Sequence, residues 1–256
     1  MTDYAQLAPA STDARDATLV IRELLPGIVT FSVPFARFGT IPIGGRSTAV
    51  SLGDKGVFVY VSHPLTDATR QALASLGEVK WLVTPDGEHG MNISAWSEAF
   101  PHAQPIGVSR FATEKPNIRW SGLFGAGGED KHYGFEPECS AHRNDELMAL
   151  HHPSGTLLQA DMLFNLPPTE QYSRSHLPLW ARLFGGLAPG GVHAALVAGV
   201  VRDHGLAERE LAPVFAAKWD RIVPCHGDVI DAGGRAAWDR VWGKYKSESE
   251  SDKTAL

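Results

Sequence analysis

Cysteine is scarce: only Cys139 and Cys225 occur in 256 residues. Two thiols cannot build a disulfide framework, and they exclude a zinc site made of several thiolates. A basic excess is also missing. The 23 Lys and Arg face 29 Asp and Glu, giving a net charge of −6, whereas a nucleic-acid binder usually carries the opposite sign. No nucleic-acid partner is expected. Long apolar runs are absent too. The longest uncharged stretch, residues 183–201, is broken by five glycines, Pro189 and His193, so it does not read as a membrane span. The start at Met1 has no apolar segment behind a basic one, so a secretory signal is not expected and a cytoplasmic protein is. Histidine is what the sequence has in number, 11 residues against four methionines. Imidazole binds metals and titrates near neutrality, which makes its positions the first to inspect.

A chain of this length with 43% hydrophobic residues can bury roughly three quarters of its unfolded surface in one large domain. We expect that domain over residues 18–246, after a flexible N-terminal arm (1–17) and before a disordered, Ser- and Glu-rich tail (247–256). Within it, apolar runs over 18–33 broken by Pro26-Gly27 read as a hairpin. Residues 46–52 and 56–61 read as a second hairpin around Gly53-Asp54. Residues 65–76 fit a helix capped by Thr66 and are followed by a strand at 79–84. A short helix at 92–100 and a short strand at 106–108 come next. A third hairpin spans 146–151 and 156–164 around Pro153-Ser154-Gly155. The chain closes with a helix at 206–219, a strand at 221–224 and a helix at 235–245. Hairpins mixed with βα units predict an α/β domain whose sheets contain antiparallel strands.

Three segments share one design, an apolar strand ending in a loop that carries imidazole or carboxylate. They are V-T-P-D-G-E-H-G (83–90), L-H-H-P-S-G-T-L-L-Q-A-D (150–161) and I-V-P-C-H-G-D (222–228). Strand ends along one rim are where α/β folds gather functional groups. Their nitrogens and oxygens suit a divalent metal, zinc foremost, with iron or manganese as alternatives. Each residue also has a plain structural role to set beside that. His226 could be a hydrogen-bonded loop residue, and Asp86 and Glu88 beside Gly87 could be turn residues. Asp161 ends an apolar run, where a buried carboxylate needs a partner or a metal. His151 and His152 are adjacent, so on a strand they face opposite ways and only one can ligate. Cys225 beside His226 points the other way by the same alternation. His63 follows a strand and is a candidate for acid or base work, or a surface histidine. Arg46 follows Gly44-Gly45 and could pair with a substrate carboxylate, or form a structural salt bridge. His102, His132, His176, His193 and His204 have no partner pattern. The G-G-L-A-P-G-G stretch at 185–191 lacks the ending of a phosphate loop.

The order of these segments resembles the metallo-β-lactamase superfamily. P-F-A-R-F-G-T-I-P-I-G-G-R-S-T-A-V (34–50), H-H-P-S-G-T-L-L-Q-A-D-M-L-F-N (151–165) and W-D-R-I-V-P-C-H-G-D-V-I (219–230) look like a poorly characterised bacterial and fungal branch of it. The resemblance covers residues 20–245. It implies a four-layer αββα sandwich with one or two metals between its sheets. The family's H-x-H-x-D-H signature is reduced here to T-P-D-G-E-H-G, leaving His89 as its one histidine and Asp86 as a substitute. S-H-P-L-T-D (62–67) replaces the family's aspartate-containing turn. The resemblance therefore implies a single metal held by His89, one of His151 and His152 (the branch pattern favours His151), Asp161 and His226. Asp86 or Glu88 would orient water or move a proton, and Arg46 and His63 would contact substrate. The expected activity is hydrolysis of a small-molecule ester, lactone, thioester or amide through metal-bound hydroxide. Two alternatives stand beside it: a non-catalytic ligand-binding member of the fold, and an iron-dependent redox enzyme. A homo-oligomer is compatible with the sequence.

Overall fold

Strands whose both faces are apolar need cover on both sides, and the central strands of this chain are of that kind. The computed structural model describes residues 2–125, 138–183 and 187–246. His132, Gly185, Gly186 and the tail from 247 lie outside them. The strands are β1 (Val20–Leu25), β2 (Ile28–Val33), β3 (Ala36–Arg37), β4 (Ile41–Pro42), β5 (Gly45–Ser51), β6 (Val57–Tyr60), β7 (Val79–Val83), β8 (Gln104–Val108), β9 (Gly122–Phe124), β10 (Glu138–Cys139), β11 (Glu146–Leu147), β12 (Ala149–His151), β13 (Thr156–Gln159) and β14 (Arg221–Pro224). The helices are α1 (Tyr4–Ala10), α2 (Asp67–Leu76), α3 (Ile93–Ala99), α4 (Phe111–Glu114), α5 (Gly191–Ala198), α6 (His204–Ala216) and α7 (Gly234–Trp242).

The large sheet runs β1-β2-β5-β6-β7-β8-β9, and a smaller sheet runs β12-β13-β14. In β6, Val57 and Val59 join one core with Ala68, Ala72 and Leu73 of α2 and Ile93 and Trp96 of α3. Phe58 and Tyr60, between them in sequence, join a different core with Leu158 of β13 and Val223 of β14. Leu157 and Ile222, one step away on those strands, enter a third core with Leu211 of α6 and Trp238 and Trp242 of α7. Period-two alternation thus assigns successive residues to different cores. Three cores separate four layers, helix–sheet–sheet–helix, which is the expected αββα sandwich.

The hairpins expected around Pro26-Gly27, Gly53-Asp54 and Pro153-Gly155 are present as β1–β2, β5–β6 and β12–β13, all antiparallel. Thr66 caps α2 by accepting the Thr69 amide. The N-terminal stretch expected to be a flexible arm is instead folded onto the domain. Tyr4 and Ala8 of α1 are buried with Ile21 and α2, and the Asp16 carboxylate accepts the Ala68 amide inside the protein. Among the described residues no helix is long and apolar enough to cross a membrane.

Parallel pairing fixes where the loops gather. β6, β7 and β8 are parallel neighbours, as are β13 and β14. The loops after β7, β13 and β14 carry His89, Asp161 and His226, and these three side chains meet.

Candidate metal centre

The loop after β7 is organised by one carboxylate oxygen. Asp86 is fully buried, and its Oδ1 accepts the amides of Glu88 and His89 at 2.7 and 3.0 Å. The same oxygen accepts from His89 Nδ1 at 2.8 Å. A carboxylate oxygen held by amides cannot donate, so the ring hydrogen sits on Nδ1 and Nε2 carries the lone pair. His226 is fixed likewise: its Nδ1 donates to the Gly44 carbonyl at 2.6 Å, again leaving Nε2 without a hydrogen. The two Nε2 atoms face each other at 3.2 Å. Lone pair against lone pair is repulsive, so a proton or a cation belongs between them.

A third donor completes the group. Asp161 Oδ1 lies 3.3 Å from His226 Nε2, is buried, and has no hydrogen-bond donor among the described residues. Its other oxygen accepts the Asn144 side-chain amide at 2.7 Å. Of the edges joining two imidazole nitrogens and one carboxylate oxygen, His89–His226 at 3.2 Å and His226–Asp161 at 3.3 Å match those of a tetrahedron with bonds of about 2.0–2.1 Å to a central ion, and all three donors lie within 4.8 Å of one another. These residues fit a divalent metal with an open fourth position, on geometry and on donor type.

The charges agree with that arrangement. Burial alone would push the His89 imidazole down, but the adjoining Asp86 carboxylate, with Asp161 and Glu88, raises it to about 9. Burial pushes the Asp161 carboxyl up, yet the His226 and His89 imidazoles outweigh it and hold it below the ordinary carboxylate range. Without a metal, a proton held by His89 occupies the gap.

A cavity of about 430 Å³ opens beside His89 and His226. Val33, Pro34, Phe35, Pro64 and Met91 give it apolar walls, and Arg15, Arg37, Glu88 and Asn92 supply polar groups. Arg15 and Thr18 come from the N-terminal segment, which is thus part of the wall. Phe35 stacks on the His226 ring at 6.1 Å, and Phe164 meets it edge-on at 5.2 Å. A larger, open depression lined by Ser97, His102 and Trp120 lies away from all three candidate ligands.

The structure brings together His89, Asp161 and His226 and leaves out the other residues expected to ligate. His151 pairs with Thr156 at the start of β13. Asp161 lies five residues further along, about 16 Å at the rise of a strand, so His151 sits at the wrong end of the hairpin. Its Nδ1 is taken by Ser154 Oγ at 2.7 Å, and His152 is exposed beside it. Asp86 is buried beneath His89 and orients it, whereas Glu88 lines the cavity. Arg46 is buried and does not line the cavity. Its buried guanidinium donates to Ser32 Oγ, to the Pro224 and Gly227 carbonyls and to Glu170, which clamps the loop carrying His226. His63 does line the cavity, but it is buried there with Ser47 and Thr69 hydroxyls partnering both ring nitrogens, and burial lowers its pKa to about 3. Cys225 points into the core between the sheets, as alternation requires, and burial raises its thiol well above its usual value.

Two supporting residues escaped sequence reasoning. Asn144 holds Asp161 Oδ2, and the fully buried Glu146 accepts the Ala160 and Asp161 amides at 2.5 and 3.1 Å. Continuing the β12–β13 register places Glu146 directly across from Asp161, a signal available from the hairpin alone.

The same architecture recurs among solved structures at low sequence identity. A metallo-β-lactamase from Erythrobacter litoralis aligns with a TM-score of 0.58 and 14% identity, over 89% of this chain and 96% of that one. One from Hirschia baltica gives 0.54 and 11%, over 90% and 99%. FIM-1 from Pseudomonas aeruginosa, in a mono-zinc form, gives 0.52 and 11%, over 93% and 96%. Neither a protein-family model nor a curated protein matches the sequence. The chain has the metallo-β-lactamase fold.

Proposed function

We propose that this chain is a metal-dependent hydrolase with a single metal, acting on an ester, lactone, thioester or amide. The observation that carries this reading is the pair of facing Nε2 atoms of His89 and His226 with the unpartnered Asp161 Oδ1 beside them. A divalent cation held by these three supplies Lewis acidity toward a carbonyl and lowers the pKa of water toward 7.

The protein's own groups do the rest. Asp86, Asn144 and the Gly44 carbonyl each hold one ligand in the orientation described above, as outer partners of metal ligands generally do. Phe35, Pro64 and Met91 shelter the acyl part of the substrate and limit water around it. Glu88, on the cavity wall, accepts a proton from the attacking water and returns it to the leaving group. The water oxygen bonds to the carbonyl carbon, the bond from that carbon to the leaving oxygen, sulfur or nitrogen breaks, and the proton leaves with the leaving group.

The test is elemental analysis of protein purified without added metal and after zinc loading, alongside turnover of an ester and lactone panel. Near-stoichiometric metal, lost together with turnover in Asp161→Ala and His226→Ala, supports the reading. Stoichiometric metal without any turnover would favour the ligand-binding alternative. Occupancy below about 0.2 equivalents after loading, unchanged by Asp161→Ala, would remove the metal site altogether.

A further inference from the structure

The cavity beside the metal centre holds two arginines in opposite situations. The Arg15 fork is already taken, with Nε and Nη2 on both oxygens of Asp13 at 2.6–3.2 Å. The Arg37 guanidinium makes no hydrogen bond to any described residue. Its nearest acid, Glu88, stands 3.8 Å away, outside hydrogen-bond range, and is shared with Arg110 at 3.6 Å. Arg110 in turn holds Asp145 at 3.2 Å, which also pairs with Arg202. Along this chain three arginines alternate with two carboxylates, so among the described residues one positive charge is left over, and Arg37 is the arginine of the three that faces the cavity.

Local structure fixes the backbone that carries this half-exposed side chain. Arg37 ends β3, beside a tight turn closed by Gly39 N to Ala36 O and Thr40 N to Arg37 O. Its guanidinium lies 5.1 Å from the Phe38 ring centre, a contact that steadies a cation without consuming its N–H donors. A planar fork with free donors, at the wall of a mostly apolar cavity, is matched by a carboxylate that accepts two parallel hydrogen bonds.

We propose that Arg37 is the receptor for a carboxylate on the substrate, separate from the group that is cleaved, so that the cavity selects acidic acyl compounds over neutral ones. This assignment takes the cavity to be the substrate site of the hydrolase proposed above, but its test is a binding measurement that needs no turnover. On docking, the ligand carboxylate takes the Arg37 fork while Glu88 stays with Arg110.

The probes are 4-phenylbutyrate and its neutral amide, 4-phenylbutanamide, titrated calorimetrically into zinc-loaded protein and into protein stripped with EDTA. Stripping matters because a metal also attracts carboxylates. The acid should bind about tenfold tighter than the amide in stripped protein, as a charge-assisted pair at a partly exposed site implies. Arg37→Met should erase that preference and Arg37→Lys should keep part of it. Glu88→Gln, which removes the competing acid, should increase it, and this arm does not depend on the stability of an Arg37 variant. Equal binding of acid and amide in stripped protein, or a preference that survives Arg37→Met, would overturn the proposal. Arg15→Met should leave the acid-to-amide ratio where it was, and a collapse of the ratio there would also overturn it. Failure of the hydrolase reading appears elsewhere, in metal content and ester turnover.

Discussion

Zinc binding to this protein should be coupled to the release of a proton from His89. The ring is held by Asp86 at 2.8 Å and its pKa is raised to about 9, so in metal-free protein at pH 7 it is almost wholly protonated. A metal accepts only neutral imidazole, so binding must first remove that proton. Two pH units below the pKa, this lowers the apparent affinity about a hundredfold, or about 2.7 kcal/mol. Affinity should therefore rise about tenfold per pH unit from 7 toward 9 and then level off. Asp86→Asn keeps an oxygen for Nδ1–H but removes the largest charge that raises the His89 pKa, leaving only Asp161 and Glu88 against burial. The variant should release fewer protons at pH 7 and show a shallower slope between pH 7 and 9. Calorimetric zinc titrations in buffers of different ionisation enthalpy count the protons, and competition with a chromophoric chelator gives the affinity. The same shift governs stability without metal. A raised pKa stabilises the fold fully below about 6.5, and that contribution, about 3 kcal/mol, disappears as pH rises through 9. Equal proton release by both proteins, with a flat affinity profile, would refute the tautomer assignment and the pairing of His89 with Asp86.

Other consequences can be measured in parallel. Gly227 has φ +89°, and a Cβ there would come within 2.3 Å of the Asn165 carbonyl oxygen. Gly227→Ala should cost about 2–3 kcal/mol in chemical denaturation and weaken zinc binding, because His226 is the preceding residue. Arg46→Met should cost about 2–5 kcal/mol, since it strands the buried Pro224 and Gly227 carbonyls, while Glu170 keeps Arg22 and Ser32; urea titration reads this directly. His63 has a depressed pKa of about 3, so only the unfolded chain takes up its proton as pH falls below 6.5. Stability should drop by about 1.4 kcal/mol per pH unit on that account, and His63→Gln should flatten the acid limb of a stability–pH curve. An unchanged acid limb would mean that His63 is not buried neutral.

Much of the fold was legible because its signals are local. Pro26-Gly27, Gly53-Asp54 and Pro153-Ser154-Gly155 each interrupt β-branched or apolar runs, and each lies between antiparallel strands. The N-terminal helix was missed because Tyr4, Leu7 and Ala8 give only one turn of apolar spacing, followed by Pro9. What orders that segment is tertiary: contact with α2 and the link from Asp16 to the Ala68 amide. Short strands such as β3, β4 and β9 carry too few residues for a period to register.

The site divides along the same line between local and long-range information. His89, Asp161 and His226 could be picked out because each follows an apolar strand, and parallel pairing carries such ends to one rim. His151 failed this logic because it precedes the turn of its hairpin, so the antiparallel return that brings Asp161 to the rim leaves His151 at the opposite end. Charge was misleading at Arg46, where a guanidinium beside two glycines looked available to substrate. Gly44 has φ +73°, and a Cβ on it would collide with Gln171. Gly44 thus marks close packing of the 171 segment, and in that packing Arg46 has Glu170 and two carbonyls as partners. The groups that set ligand orientation, Asn144, Glu146 and the Gly44 carbonyl, are polar residues or backbone whose role exists only once register is known. Register was the missing quantity: extended past Ala149–Leu158, the pairing places Glu146 opposite Asp161, where its carboxylate accepts the amides that present the ligand.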